Sequence, residues 1–147
     1  MSQLSTFVVG PYLFGVEVEL VQEIVRLESM TPVPLAAGAI GGLINLRGEV
    51  ITAVDLRKRL GMPPAKRVRP GTLNVVVRVD GEPTSLVVDE IGGVVTVDGL
   101  PFEETPSTVD AQVRDLIGGA FTLPERLLLA LNVRSVLTGL EAPALAG

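Results

Sequence analysis

The chain has 147 residues, 47% of them hydrophobic, with 17 acidic and 12 basic side chains and a formal net charge of −5. That length bounds it to one domain or two small, closely packed lobes, and the negative charge is the wrong sign for a general nucleic-acid binder. With no histidine and no cysteine, it lacks the commonest general base, the thiol nucleophile, the best zinc ligands and any disulfide framework. Aromatic residues make up 3%, too few to build stacking platforms for single-stranded nucleic acid. No apolar run approaches the roughly 18–20 residues of a membrane span. No basic stretch precedes an apolar core at the N-terminus, as a signal peptide would require. The absence of cysteine is compatible with a cytoplasmic chain.

Valine, isoleucine, leucine and threonine dominate and turn signals recur at short intervals, which reads as mostly β. In chain order, strands are expected at Ser5–Val9, Tyr12–Val16, Glu23–Leu27, Leu43–Leu46, Glu49–Val54, Leu73–Val79, Thr84–Asp89, Gly93–Val97, Ala120–Leu123 and Arg126–Leu131. Gly10-Pro11 is a turn near the start, and Asp80-Gly81 is a strong hairpin signal. The prolines of Thr31–Gly38 rule out a regular central strand, so an extended connector is expected there, ending in a helical turn at Ala36–Ile40. Asn45-Leu46-Arg47-Gly48 lies between two apolar runs, and Gly48 supplies the positive φ of a tight hairpin. Asp55 reads as the N-cap of a short helix over Leu56–Leu60, stopped by Gly61 and Pro63. A second short helix is expected at Gln112–Leu116.

An internal repeat organises the chain. Gly41–Leu60 aligns without gaps on Gly118–Leu137 at an offset of 77, with six identities: Gly41/Gly118, Gly42/Gly119, Leu46/Leu123, Ala53/Ala130, Arg57/Arg134 and Leu60/Leu137. Asp55 meets Asn132, so a side-chain oxygen caps the helix in either copy. Each copy therefore reads as strand, tight turn, strand, Asx cap and short helix. Two small β lobes are expected, closed so that few strand edges are left open. The turn tips differ, Arg47-Gly48 in the first copy against Pro124-Glu125 in the second. A residue that the scaffold alone required should recur in both.

Arg47 is accordingly the first candidate for an external contact, its planar fork suiting a carboxylate or backbone carbonyls. The alternative is an internal clamp from the hairpin to the other lobe or to the Thr31–Gly38 connector. In strand alternation Glu23 and Val25 lie on the face opposite Ile24; Glu23 is either an ordinary solvated carboxylate or a contact. Asp55–Arg69 holds six basic residues, whereas Asp80–Asp115 holds nine acidic ones and only Arg114. Such asymmetry either orients docking or marks solvated faces. The three Gly-Gly pairs lack the spacing of a phosphate-binding fingerprint and suit bulges and strand starts. Asp89-Glu90 point to opposite faces of a strand, so no catalytic carboxylate pair is expected. Neither a metal nor a cofactor is implied.

Several stretches in order resemble the CheW-type chemotaxis coupling proteins, adaptors that join chemoreceptors to a histidine kinase. They are Tyr12-Leu-Phe-Gly-Val-Glu-Val18, Val21-Gln-Glu-Ile-Val25, Thr31-Pro-Val-Pro34, Gly42-Leu-Ile-Asn-Leu-Arg-Gly48, Val54-Asp-Leu-Arg57, Leu86-Val-Val-Asp-Glu-Ile91 and Arg126-Leu-Leu-Leu-Ala-Leu-Asn132. The resemblance covers about Thr6–Leu137. It implies an all-β chain with a few short helices, folded as two packed five-stranded SH3-like barrels. The single domain would span 6–138, with lobe 1 at about 13–70, lobe 2 at about 71–138, strand 5–9 joining lobe 2, and a tail at 139–147. It further implies a non-enzymatic, cytoplasmic adaptor recruited to receptor arrays. One surface would bind the regulatory domain of a CheA-type histidine kinase and another a chemoreceptor's cytoplasmic hairpin tip, with no nucleic acid and no direct membrane insertion. An adaptor for a chemotaxis-like pathway with another output, such as surface motility, is the alternative. Residues matching family contact positions are Val21, Glu23, Asn45, Arg47, Gly48 and Val94. Leu73-Asn74 departs from the family pattern of two apolar residues, which bears on any groove that strand would line.

Overall fold

The computed structural model describes residues 2–28, 30–31, 39–64, 71–104 and 106–138. The proline-bearing connector at 32–38, the basic loop at 65–70 and the tail from 139 onward lie outside the described residues. So do residues 36–38 of the helical turn expected at Ala36–Ile40, and Ile40 itself opens a strand.

Among the described residues the strands are β1 Gln3–Val9, β2 Tyr12–Glu17, β3 Val21–Leu27, β4 Ile40–Leu46, β5 Glu49–Asp55, β6 Thr72–Val79, β7 Glu82–Val88, β8 Glu90–Thr96, β9 Phe102–Glu103, β10 Ile117–Thr122 and β11 Leu127–Leu131. The short helices are α1 Leu56–Arg59, α2 Ala111–Arg114 and α3 Val133–Leu137, and a 3₁₀ turn at Val18–Leu20 joins β2 to β3. The Asx caps form as expected: the Asp55 carboxylate accepts from the Arg57 and Lys58 amides, and Asn132 Oδ1 accepts from the Ser135 amide.

Two sheets result, in the orders β3-β6-β7-β5-β4 and β8-β1-β2-β11-β10-β9. The second has six strands because the short β9, unforeseen in sequence, pairs with β10 at Phe102 and Glu103. The strand pattern also departs from a split at about residue 70. The hairpin β1–β2 sits in the second sheet, where β2 runs parallel to β11, and the hairpin β6–β7 sits in the first, where β7 runs parallel to β5. Each half of the chain thus lends its leading hairpin to the other half's sheet. The reason is local: a turn at Gly10 (φ +59) ties β2 to β1, so the two strands cannot be divided between lobes.

The lent hairpins carry apolar side chains on both faces. In β1, Leu4 and Val8 face the interior of the second lobe with Leu13 and Leu128, whereas Phe7 and Val9 enter a larger core shared by the two lobes. In β6, Val76 faces the first lobe's interior and Val75 and Val77 enter the shared core. Asn74 is fully buried beside Val76, giving hydrogen bonds to Thr72 and taking one from Ser85 Oγ at 2.7 Å. It therefore lies inside a lobe and lines no groove.

Matched arginines of the repeat secure the two hairpin tips. Arg134 on α3 holds Asp80, at the tip of β6–β7, through bonds of 2.6 and 2.8 Å. The tip of β1–β2 has no acid, and Asp89 supplies one: its carboxylate accepts from the Gly10 amide at 2.7 Å and from Arg57 on α1 at 2.7 to 3.1 Å. Arg59 adds bonds to the carbonyls of Ser135, Val136 and Thr138 at the end of α3.

The two latches differ in burial. The Arg57–Asp89 side chains are each 21% exposed and those of Arg134–Asp80 each 68%. The hydrogen bond from Arg134 holds the Asp80 carboxyl below its usual value. The stability from that pair is therefore present above the unfolded carboxyl's pKa and fades as pH falls through the lower folded value. Asp89→Ala strands the Arg57 guanidinium and the Gly10 amide and is expected to lower unfolding free energy by roughly 2–4 kcal/mol. Asp80→Asn keeps a residue that the left-handed turn position favours, removes only an exposed charge pair and should leave the urea midpoint nearly unchanged. Equal effects of the two would contradict this ranking.

Candidate functional site

The candidate site forms where the first sheet's two edge strands meet. After β3 the chain pairs Thr31 with Leu43 of β4, through reciprocal amide–carbonyl bonds of 2.8 and 2.7 Å. That bridge ties the chain beyond β3 to β4, and the tip of the β4–β5 hairpin brings Arg47 to Glu23 of β3. Arg47 Nη2 lies 3.1 Å from Glu23 Oε2, the arginine side chain 76% exposed and the glutamate 22%. Two residues singled out separately in sequence are therefore ion-paired. Glu49, the only acid near Arg47 in sequence, faces Arg78 instead at 3.8 Å.

The turn places Arg47 at φ +54 and Gly48 at φ +83, the positive pair of a type I′ hairpin. Asn45 supports it by accepting the Gly48 amide on Oδ1 at 3.3 Å. Nothing lies within 4 Å of where a Gly48 side chain would begin, so its role is conformational. The related β6–β7 turn uses Asp80 at φ +52 followed by Gly81, residues that turn chemistry favours. Arginine is not among them, and holding it left-handed costs roughly 1 kcal/mol. Its exposed ion pair returns about 0–1 kcal/mol, so stability alone does not explain the choice.

On β3 a register shift falls between Val21 and Glu23. Val21, Glu23, Val25 and Leu27 form a half-buried row, and Val21 packs against the shared core. Gln22, Ile24 and Arg26 face solvent, so Ile24 is an apolar residue in a polar row, 40% exposed. Val50, opposite Asn45 at the base of the hairpin, is 63% exposed. Sequence reasoning passed over both, although an apolar side chain out of phase with its strand's alternation signals each. Val94 is 57% exposed on β8, an edge of the second sheet, and pairs with Ser5 of β1. The structure thus unites Asn45, Arg47, Gly48 and Glu23, places Val21 two residues before Glu23 on β3, and sets Val94 on the other lobe.

Chemically the site offers a forked cation, a carboxylate and nearby exposed valine and isoleucine, which suits protein recognition. No group of three or more potential metal-binding side chains occurs among the described residues.

The family model for the CheW-like domain matches residues 3–141. The chemotaxis protein CheW of Rhizobium meliloti is 31% identical over 144 residues, covering 97% of this chain and 91% of that protein. The CheW of Bacillus subtilis is 30% identical over 135 residues, covering 92% and 86%. The crystal structure of the scaffolding protein TtCheW from Thermoanaerobacter tengcongensis superposes with a TM-score of 0.76 at 26% identity, covering 88% of each chain.

Arg47→Asn puts a residue at home in the left-handed region in place of one that is not. Urea denaturation is expected to show unchanged stability or a gain of up to roughly 1 kcal/mol. A loss greater than that would make Arg47 chiefly a clamp of the fold.

Proposed function

The chain belongs to the CheW-like family, and on that footing we propose that it is a non-enzymatic adaptor coupling chemoreceptor cytoplasmic tips to the regulatory domain of a CheA-type histidine kinase. Its family and its likeness to a scaffolding protein support an adaptor role in chemotaxis. The observation that carries the finer reading is the Arg47–Glu23 pair, seated on a turn whose geometry disfavours arginine and flanked by exposed Ile24 and Val50. In this reading Val21, Glu23, Asn45, Arg47 and Gly48 belong to one partner surface, and Val94 contributes from the second lobe. The apolar side chains supply most of the affinity, and the charged pair sets orientation and specificity.

The adaptor works in the cytoplasm and is recruited to receptor arrays. None of the helices among the described residues is long and apolar enough to cross a membrane. Coupling needs no chemistry from the chain. A receptor state that changes the relative free energies of kinase arrangements acts through simultaneous binding, and the effect is bounded by the difference in affinity between states.

The test is binding of the purified chain to a receptor cytoplasmic fragment and, separately, to the kinase regulatory domain. Arg47→Ala should keep the folded β signature in circular dichroism and weaken receptor binding by roughly tenfold or more. The exchange Glu23→Arg/Arg47→Glu rebuilds the internal pair with its charges inverted. Binding as weak as that of Arg47→Ala is expected. Restored binding would show the pair to be a clamp and nothing more, and failure to bind either partner would sink the coupling proposal.

A further inference from the structure

The duplication lets the two lobe interiors be compared position by position. In the first, Ala53 lies opposite Ser85 and Val87 opposite Asn74. In the second, Ala130 lies opposite Gly15 and Glu17 opposite Leu4. Ala53 and Ala130 are matched positions of the repeat, so Ser85 corresponds to Gly15 and Val87 to Glu17. The first lobe is filled at this level. Ser85, Val87 and Asn74 are buried, Ser85 bonds to Asn74, and Met30 packs against Gly41 and Gly42.

In the second lobe Leu4 and Leu128 close over Gly15, and Phe102 covers Gly119, the match of Gly42; but Glu17 is turned to solvent where Val87 is buried, and an open-mouthed cleft of about 610 Å³ lies beside it. Leu100, Phe102, Phe121 and Ala130 form its apolar wall, with Ser2 and Gln3 beside them. Its rim carries three carboxylates, from Glu17, Glu19 and Asp98. Asp98 accepts a bond from the Ser2 amide, whereas Glu17 and Glu19 have no cationic partner among the described residues.

We propose that this cleft docks a peptide segment of a partner protein that presents one apolar side chain of leucine or phenylalanine size flanked by a lysine or arginine. The apolar walls remove the anchor from water, and the carboxylates orient the flanking cation. Residues 139–147 of the chain contain no lysine or arginine and so lack the cation this occupant presents. The site is separate from the Arg47 surface yet joined to it. The 3₁₀ turn that bears Glu19 leads directly into β3, which bears Glu23.

The experiment is amide-shift titration of the isotope-labelled chain with the capped tripeptide Lys-Leu-Lys, using capped Glu-Leu-Glu as the control. Saturable shifts are expected at Leu4, Gly15, Val97, Phe121 and Ala130 with the cationic peptide alone. Glu17→Gln/Glu19→Gln should weaken its binding by roughly three- to tenfold with the melting temperature unchanged. Ala130→Leu, which fills the cleft, should abolish it; if that variant does not fold, the glutamine pair carries the test. Equal binding of the two peptides, shifts mapping elsewhere, or full binding by the glutamine variant would overturn the proposal. So would concentration-dependent self-association that the cationic peptide cannot displace, because a second copy would then own the cleft.

Discussion

The structure depends on one shared core that neither half of the chain can complete alone. Phe7, Val9, Phe14 and Val16 from the N-terminal hairpin meet Val75, Val77, Leu86 and Val88 from the central one, together with Leu56, Val133 and Val136 from α1 and α3. Both hairpins must bury two faces, one in this core and one inside the lobe they join. Period-two alternation then makes both rows apolar. The runs Val75-Val76-Val77 and Leu86-Val87-Val88 follow from that requirement. It also makes the lobes interdependent, since removing either hairpin would open the other half's sheet and the common core together.

This constraint decides where function can reside. The interior strands are largely buried, so the edges β3, β4, β8 and β9, together with the exposed start of β5 at the β4–β5 turn, are left to meet a partner. β3 is bridged to β4 through Thr31 and by the Arg47–Glu23 pair, while β8 is exposed along nearly its whole length. Gly92, Gly93 and Glu90 dilute that exposed edge, which discourages indiscriminate strand pairing. The latches of Arg134 to Asp80 and of Arg57 to Asp89, the residue that precedes β8, fix the two hairpin tips. Exposed surfaces are thereby presented on a scaffold whose geometry does not depend on them, which suits the adaptor role proposed above.

Much of the fold was legible because it is encoded locally. Asp80-Gly81 specifies a hairpin, Asp55 and Asn132 cap helices, and the 77-residue repeat announces two related lobes. Hairpin exchange was not legible. The pairing of Gly15 with Ala130 joins residues far apart in sequence, and alternation does not state which sheet a doubly apolar strand will enter. The Gly10-Pro11 turn was the available clue, since it binds β2 to the strand already expected in the second lobe. Arg47 stands out because the second copy of the repeat lacks it, but its pairing with Glu23 joins residues 24 apart in sequence, which turn chemistry alone does not state. Asn74 was judged against a groove when the partner that explains it, Ser85, lies across a hairpin. Ile24 and Val50 were missed because isolated exposed apolar residues are ordinary until their surroundings are known.

The central claim is that the edge around Arg47 and Glu23 is a partner surface built on a self-sufficient scaffold. The most direct measurement is an NMR cross-saturation footprint of the labelled chain bound to a receptor cytoplasmic hairpin fragment. The account predicts transfer to Glu23, Ile24, Arg47 and Val50 on the first lobe and to Val94 on the second. A footprint that spared the β4–β5 turn and fell on the latch helices α1 and α3 would contradict it.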